Sequence, residues 1–243
     1  MRAGDMIYAG KYRTPDYELI LSSGCDLAIE NTMIYHDPEV KEKLEELGIP
    51  VLVETSSYEK DPLGRLEWIK LYGVLYDRQE EAETFFAGQE SKIGELSQNA
   101  PSGKKVAVFY VSSTGTVNVR TPGDYLTKLI ETAGGIYIPG EESHLSGSGM
   151  GTVNMQMEDF YLEATDADIL IYNSAIEDEL TSLSDLTAMD PLFSGLAAVK
   201  EGNVYCLRSD FFQKTTGTAD LLTDLVGIMK GSDGPYTFLE KLK

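Results

Sequence analysis

The sequence is poor in several residue types that would point to particular chemistry. Its 243 residues include two cysteines, two histidines and one tryptophan, so a zinc site with three histidine ligands is excluded. Cationic residues are scarce as well, because 20 Lys and Arg stand against 40 Asp and Glu, for a formal net charge of −20. A chain of this charge repels a nucleic-acid backbone or an anionic lipid surface, and we expect neither as a partner.

The two cysteines, Cys25 and Cys206, are far apart in the chain and each lies in an apolar run. They have neither metal-type nor redox-type spacing. Buried thiols are the interpretation we favour, with a disulfide or a reactive site as the alternatives.

The apolar content of 42% is that of a globular protein, and strand-length apolar runs alternate with amphipathic helical stretches. This alternation predicts an α/β fold with mainly parallel sheets. In the first part of the chain we expect strands at 27–29 and 50–54, separated by a helix that begins at Asp37-Pro38 and ends at Gly48.

Helix-forming residues dominate from 63 to 96, in two blocks, and Asp77 is placed to cap the second block. We therefore predict a first lobe at 1–76, an inter-lobe helix at 77–100 and a second lobe at 101–243, whose final helices pack back on the first lobe as one alternative. In the second lobe the sequence predicts strands at 105–111, 117–120, 136–138, 169–172 and 204–207, and helices at 124–133, 155–164, 183–198 and 217–229.

Candidate ligand-binding residues follow the predicted strands, because ligands of open α/β sheets bind at the carboxyl ends of the strands. These residues are small polar and aromatic groups: Asn31, Thr32, Tyr58, Asn173 and Phe212. Such residues also occur in strand–helix turns for capping reasons, so the loop composition alone is compatible with a purely structural role.

Two arginines, Arg65 and Arg120, follow polar loops near predicted strand ends. Arginine makes bidentate contacts to carboxylate or catecholate-type oxygens, and an ion pair within the protein is the alternative. The aromatic residues Tyr125 and Trp68 belong either to the core or to the lining of a cleft.

A catalytic pattern is missing from the sequence: neither a nucleophile elbow nor a phosphate-binding loop nor a complete dinucleotide fingerprint follows a strand. The acidic runs Glu45-Glu46 and Glu80-Glu81 are typical of solvated helix faces. We therefore expect no catalytic residue, no protein-held metal and no intrinsic cofactor.

Several blocks in order along the chain resemble the substrate-binding proteins of ABC importers for iron complexes and cobalamin, a periplasmic-binding-protein class with a helical backbone between two lobes. The likeness covers essentially the whole chain, although no block alone is sufficient. The blocks are Pro15-Asp16-Tyr17-Glu18 with 19–21, 25–32, 44–51, Pro62-Leu63-Gly64-Arg65 with 66–70, 154–158, 166–173 and Gly202-Asn203-Val204-Tyr205.

The resemblance implies a protein that captures a bulky metal chelate between two lobes and delivers it to the transmembrane permease of an ABC importer. A ferric siderophore is the ligand we expect, with haem or a corrinoid as alternatives. The family docks on its permease through one surface glutamate on each lobe, and the motif positions are Glu18 and Glu158 here. Two ordinary surface glutamates are the alternative.

The sequence also departs from the family pattern. Family precursors begin with a signal peptide, often with a lipid-anchored cysteine, and a strand–helix unit precedes the Pro15-Asp16-Tyr17-Glu18 block. We expect an extracytoplasmic, lipid-anchored full-length form whose signal segment is absent from this chain, and a first lobe without its initial strand–helix unit. Such a lobe exposes a sheet edge with which a second chain could pair as a dimer.

Two other functions stay open at this stage. One is a bilobal enzyme with acid and base carboxylates in the cleft, which would show two facing carboxylates with a metal or perturbed pKa values. The other is a truncated cytosolic protein with a vestigial cleft, which would bind no chelate.

Overall fold

The computed structural model describes residues 6–99, 101–140, 151–175 and 177–243. The chain divides into two compact units, Met1–Ser57 and Tyr58–Lys243. No helix within the described residues is both long and apolar enough to cross a bilayer.

The first unit is a small α/β unit around two parallel strands. Its elements are β1 (Gly10–Lys11), β2 (Thr14–Pro15), α1 (Tyr17–Ser22), β3 (Ala28–Asn31), α2 (Pro38–Glu46) and β4 (Val51–Glu54). Strands β3 and β4 pair in parallel, and helix α2 connects them as predicted. Its buried core contains Ile34, Val40, Leu44 and Ile49.

The second unit is built on one mixed sheet. Its elements are α3 (Pro62–Leu75), α4 (Gln79–Leu96), β5 (Lys105–Val111), β6 (Val117–Arg120), α5 (Tyr125–Thr132), β7 (Ile136–Ile138), β8 (Thr152–Met155), α6 (Met157–Ala164), β9 (Ile169–Asn173), α7 (Leu183–Met189), α8 (Ala197–Lys200), β10 (Val204–Leu207), α9 (Thr218–Met229) and β11 (Leu239–Lys241). The strand order is β11-β10-β9-β5-β6-β8, and β7 pairs with the first residues of β5. Strands β10, β9, β5 and β7 are parallel, whereas β11, β6 and β8 join antiparallel. The predicted α/β class is confirmed.

Strand β5 is buried on both faces of this sheet, which explains its continuous apolar sequence. Val106 and Val108 point into a core formed with α5 and α9. Ala107, Phe109 and Val111 point into a second core on the other face, formed with α6 and α7. Side chains of β5 that point to opposite faces of the sheet therefore contribute to two separate cores.

Helices α3 and α4 pack closely against each other, and a glycine permits their approach. A Cβ atom at Gly73 would lie 2.6 Å from the Cβ of Ala82. Asp77 is not the cap of α4 that we predicted: its φ of 55° makes it a left-handed link between the helices, and Arg78 occupies the N-cap position. An Asp residue tolerates this conformation better than most side chains do.

The division of the chain after Ser57 differs from the predicted limits of 1–76, 77–100 and 101–243. Helix α3 packs on α4 and on α5, so it belongs to the second unit. Helix α4 in turn packs on α9, and Lys92 Nζ lies 2.7 Å from Asp220 Oδ1 across that contact.

The four strands that we did not predict are short. Strands β1 and β2 have two residues each, and β11 has three. Strand β8 alternates polar and apolar residues and pairs with β6 at the end of the sheet, where we expected a helix to begin at 155. Cys25 and Cys206 are both free, and burial raises the pKa of the Cys206 thiol.

The buried carboxylate of Asp224 joins helix α9 to the chain segment before β11. Its Oδ1 accepts a hydrogen bond from Thr237 N at 3.0 Å, and its Oδ2 accepts one from Phe238 N at 2.6 Å. Asp224 is 4% exposed. A buried amide without an acceptor is costly, so this contact holds the edge strand in place.

We predict that Asp224→Ala lowers the free energy of unfolding by about 2 kcal/mol, because it leaves the Thr237 and Phe238 amides without their acceptor. Urea denaturation monitored by circular dichroism measures the change. Asp220→Ala, on the same helix, removes only the exposed ion pair with Lys92 and should cost less than about 1 kcal/mol. Equal losses in the two variants would show that Asp224 acts only as one more surface charge.

Candidate functional site

Two sequence-predicted arginines reach the same part of the second unit. Helix α3 begins where the Asp61 side chain accepts a hydrogen bond from Leu63 N at 2.8 Å, and this start places Arg65 one turn into the helix. Arg120 is the last residue of β6. Four residues later Asp124 caps α5, with its Oδ1 accepting a hydrogen bond from Leu126 N at 2.9 Å.

Each arginine lies over an aromatic ring. The guanidinium carbon of Arg65 is 4.2 Å from the centroid of the Tyr125 ring, and that of Arg120 is 5.2 Å from the centroid of Phe212. Phe212 lies in the 3₁₀ helix Ser209–Gln213 that follows β10, where its ring contacts Phe211 edge-on at 5.4 Å. Such stacking orients a guanidinium group while leaving its planar edge able to donate hydrogen bonds.

Asp124 is the counter-ion of Arg120, and its charge also interacts with that of Arg65. Its Oδ2 is 3.7 Å from Arg120 Nη1, and its side chain is 8% exposed. Burial raises the pKa of Asp124, while Arg120 and Arg65 both act to lower that pKa. Two guanidinium groups against one carboxylate leave this site with a surplus of positive charge, in a chain whose formal net charge is −20. We call these five residues the arginine cluster: Arg65, Arg120, Asp124, Tyr125 and Phe212.

Hydrogen-bond donors in the arginine cluster lack acceptors. Arg120 Nε and the Tyr125 hydroxyl are both buried, and within the described residues neither has a hydrogen-bond partner. Burial raises the pKa of Tyr125 to about 12, so its hydroxyl keeps its proton at neutral pH. The backbone carbonyl of Arg120 is held by the Tyr137 hydroxyl, which donates to it at 2.6 Å. The cluster therefore offers preorganised, partly desolvated donors to an acceptor-rich anion.

The other predicted ligand contacts lie elsewhere in the chain. Asn31 and Thr32 belong to the first unit, where Asn31 Oδ1 caps the 3₁₀ helix Thr32–His36 by accepting from Met33 N at 2.8 Å. Tyr58 ends the 3₁₀ helix Ser56–Tyr58 and is 51% exposed. Asn173 ends β9, is 2% exposed, and accepts from Ala175 N at 3.2 Å. The capping roles of Asn31 and Asn173 are those of ordinary strand-end residues.

Of the residues in the arginine cluster, Asp124 was not a sequence-predicted candidate, and Tyr125 was assigned either to the core or to the lining of a cleft. The four-residue spacing of Arg120 and Asp124 gave no signal, because Arg120 ends a strand and Asp124 caps a helix, so the two do not share a helix face. Trp68, one turn after Arg65 on α3, is partly buried and donates from Nε1 to Glu59 Oε1 at 3.2 Å.

The two predicted docking glutamates occupy equivalent local positions. Glu18 lies in the first turn of α1 and Glu158 in the first turn of α6, and both side chains are exposed. Each helix precedes a parallel strand, β3 or β9 respectively. Both glutamates are accessible to a partner.

Side chains that commonly bind metal ions do not form a cluster in the part of the chain that the structure describes. No group of three or more His, Cys, Asp or Glu side chains there is placed to hold an ion. His144 lies outside the described residues.

Comparison with known sequences finds relatives that are longer than this chain. An uncharacterized lipoprotein of Methanocaldococcus jannaschii is 27% identical over 230 residues, which cover 93% of this chain and 53% of that protein. A second uncharacterized lipoprotein of that organism matches over 81% of this chain and 50% of its own length. The chain thus spans about half the length of the curated relatives it matches.

Solved structures with the same fold include two proteins whose names refer to iron compounds. A periplasmic haem-binding protein, HutB of Vibrio cholerae, has a TM-score of 0.72 at 17% identity, covering 91% of this chain and 84% of that one. An ABC-type Fe³⁺-hydroxamate transport system protein of Saccharomonospora viridis has a TM-score of 0.64 at 20% identity, covering 88% and 72%. At these identities the likeness establishes the fold.

The family comparison bears on nearly the whole chain. The sequence model of the family described as "Periplasmic binding protein" matches residues 2–211. This range includes every element from β1 to β10 and four of the five residues of the arginine cluster. The class suggested by the ordered sequence blocks is thereby confirmed, and the chain belongs to the periplasmic binding protein family.

Proposed function

We propose that this protein binds an anionic metal chelate, a ferric siderophore, and delivers it to the permease of an ABC importer. The observation that supports this proposal most directly is the arginine cluster, with its surplus positive charge and its two buried donors without acceptors. Siderophore complexes with catecholate or carboxylate groups present outward-facing anionic oxygens, which match a guanidinium fork. The role involves no bond chemistry.

The family and the names of the relatives support the transport part of the proposal. Structures with this fold include a haem-binding protein and a protein of an Fe³⁺-hydroxamate transport system, and the curated relatives are named lipoproteins. We infer an extracytoplasmic location for the protein. Haem and corrinoids are the alternative ligands that a binding panel must separate.

Arg65, Arg120 and Phe212 are the proposed principal contacts, with Tyr125 as a further donor. Asn31, Thr32, Tyr58 and Asn173 are proposed as additional contacts because they follow predicted strand ends. Ligand binding then acts by population shift, because a ligand that prefers one conformation raises the occupancy of that conformation, which the permease recognises.

Fluorescence of the single tryptophan tests the binding function. Trp68 lies one helical turn from Arg65, so a ligand at the arginine cluster should quench it. The panel is a ferric tris-catecholate, ferric citrate, a neutral ferric hydroxamate, haem and cobalamin. We expect saturable quenching with the anionic ferric complexes, weakening as salt is added. Calorimetry on the same samples detects binding that Trp68 does not report, and absence of saturation with every compound by both methods would refute the proposal.

We predict that Arg120→Ala and Arg65→Ala each weaken binding of the anionic chelate by roughly 10- to 100-fold, because each removes a charge-assisted hydrogen-bond donor worth about 1.5–3 kcal/mol. Calorimetry measures the dissociation constants. Lysine at either position should restore part of the loss, since it keeps the charge without the fork. Arg78→Ala, which removes an exposed arginine beside Glu81, is the matched control and should leave affinity within a factor of two. If Arg78→Ala loses as much chelate affinity as the other two variants, the net charge of the protein and not a specific site determines the affinity.

Asp124 should act as an internal competitor of the ligand for the arginines. We predict that Asp124→Asn tightens anion binding several-fold, because it removes the counter-ion while Asn still caps α5. In the wild type, affinity should rise as the pH falls through the raised pKa of Asp124, since the protonated acid no longer neutralises Arg120. Protonation of the ligand itself affects both proteins equally, so it cancels in the ratio of the wild-type affinity to the Asp124→Asn affinity. If this affinity ratio stays constant from pH 7 to pH 4, Asp124 does not compete with the ligand.

The docking glutamates are tested by separating ligand affinity from transport. We predict that Glu18→Ala together with Glu158→Ala leaves chelate affinity unchanged and lowers uptake by cells that express the cognate permease, because exposed carboxylates steer docking. Glu42→Ala with Glu163→Ala, two other exposed helical glutamates, is the control. If chelate affinity falls in the first pair, the two glutamates belong to the ligand site and not to docking.

A further inference from the structure

Two strands of the second unit end head-on beside the middle of β5. Strand β9 occupies one edge of β5, and β7 and β6 share the other edge. Strand β7 runs parallel to β5 and pairs with residues 105–107, whereas β6 runs antiparallel and pairs with 109–111. Their carboxyl ends therefore meet beside Val108. Arg120 is the last residue of β6 at this meeting point, which we call the β6–β7 seam.

A side chain of β7 bridges the β6–β7 seam. The Tyr137 hydroxyl donates a hydrogen bond to the Arg120 carbonyl at 2.6 Å. The Tyr137 side chain is buried, with 5% exposure, in the core formed with α5 and α9. Burial raises the pKa of Tyr137 and the Asp124 charge raises it further, whereas the Arg120 charge lowers it. The hydroxyl therefore keeps its proton, and this core residue lies within electrostatic reach of the arginine cluster.

The chain immediately after Arg120 is fixed as well. Thr121 N and Thr121 Oγ1 both donate to the Gly151 carbonyl, at 3.0 and 3.3 Å. Asp124 N donates to the Thr121 carbonyl at 3.1 Å, which closes the turn before α5. Arg120 and Asp124 are thus the two ends of one held turn, and Tyr137 anchors the first residue of that turn.

The contacts of the Arg120 side chain leave little room for a shift of its backbone. Arg120 Nη1 lies 3.7 Å from Asp124 Oδ2, close to the limit of about 4 Å for an ion pair. The guanidinium carbon lies 5.2 Å from the centroid of Phe212, within the limit of about 6 Å for a cation–π contact. A small displacement of the end of β6 would therefore weaken both contacts.

We propose that Tyr137 is a positioning residue of the arginine cluster, because its hydroxyl fixes the end of β6 and so holds the Arg120 guanidinium beside Asp124 and ready for an anionic ligand. Tyr137 acts through Arg120 and not by touching the ligand. Its effect on ligand binding rests on the proposed chelate function, whereas its effect on the Arg120–Asp124 pair belongs to the free protein.

The pKa of Asp124 reports the position of Arg120 without any ligand. Burial raises that pKa, and Arg120 is the first of the groups that lower it, before the Leu126 amide and Arg65. Tyr137→Phe keeps the ring in the core and removes the hydrogen bond, so the pKa of Asp124 should rise as Arg120 moves away. ¹³C NMR of labelled aspartate carboxyl groups measures the change, and Asp124→Asn identifies the signal. The rise should vanish in an Arg120→Ala background and persist in an Arg65→Ala background.

Binding of a ferric tris-catecholate, measured by calorimetry, tests the consequence for the ligand. We expect Tyr137→Phe to weaken binding by roughly threefold to tenfold, less than Arg120→Ala does, because the guanidinium is displaced and not removed. In the Arg120→Ala background the same substitution should have no further effect, since the two residues then act through one interaction. Circular dichroism checks that each variant folds.

Tyr172→Phe is the matched control, because it removes a buried tyrosine hydroxyl from the second core. It should leave the pKa of Asp124 and the chelate affinity unchanged. Three results would overturn the proposal: an unchanged pKa of Asp124 in folded Tyr137→Phe, an equal shift of that pKa in Tyr172→Phe, or full affinity of Tyr137→Phe for a chelate that the wild type binds. If the wild type binds no chelate, the proposed function fails, and the pKa of Asp124 still decides the role of Tyr137.

Discussion

The burial of strand β5 on both faces of its sheet is the constraint on which the second unit depends. A strand without a solvent-exposed face requires helices on both sides, and α5 with α9 cover one face while α6 with α7 cover the other. Polar groups are then confined to the edges of the sheet and to helix starts. The arginine cluster lies at such a place, with Tyr125 packed in the first core.

The positive charge of the arginine cluster is local, in a chain that is acidic overall. The chain as a whole repels anions at long range, but beyond a Debye length of about 8 Å at physiological ionic strength this repulsion is largely screened. At contact distance a partly buried guanidinium pair outweighs it, because buried charges are screened much less than surface charges. For the proposed ligand, affinity at the arginine cluster therefore depends on local desolvation, and the net charge governs mainly the rate of encounter.

The sequence predicted the fold wherever a local pattern dictated the outcome. The bounds of β5, β6, β7 and β10 agree with the predicted ranges, because unbroken or alternating apolar runs between turn residues leave few alternatives. Strand β8 was missed although its four residues alternate polar and apolar, because so short an alternation also fits the start of a helix, and its pairing with β6 decides the outcome. The arginines were found singly, but their convergence depends on the packing of α3 on α5, a contact between distant segments.

Contacts between distant segments also decide the roles of Asn31 and Asn173, which the local sequence cannot distinguish. A polar residue at a strand end has identical local sequence whether it binds a ligand or caps a turn, and here the side chains of both accept backbone hydrogen bonds two residues ahead. A cap can still face a ligand with its remaining donors, since an Asn amide group has two N–H bonds that the cap does not use. Capping therefore fixes the orientation of such a side chain without consuming its ability to donate.

The arginine cluster contains buried hydrogen-bond donors that neither helix capping nor ion pairing satisfies. A buried donor without an acceptor costs about 1–3 kcal/mol, a large fraction of the 5–15 kcal/mol by which a typical domain is stable. Arg120 Nε and the Tyr125 hydroxyl both lie within a few residues of Asp124, yet its carboxylate satisfies neither: its Oδ1 caps α5, and its Oδ2 lies 3.7 Å from Arg120 Nη1. A fold retains such a deficit where a ligand removes it, since the bound state then gains the hydrogen bonds that the free state lacks. In the proposed function, the stability missing from the free protein at this point thus becomes part of the affinity for an anion.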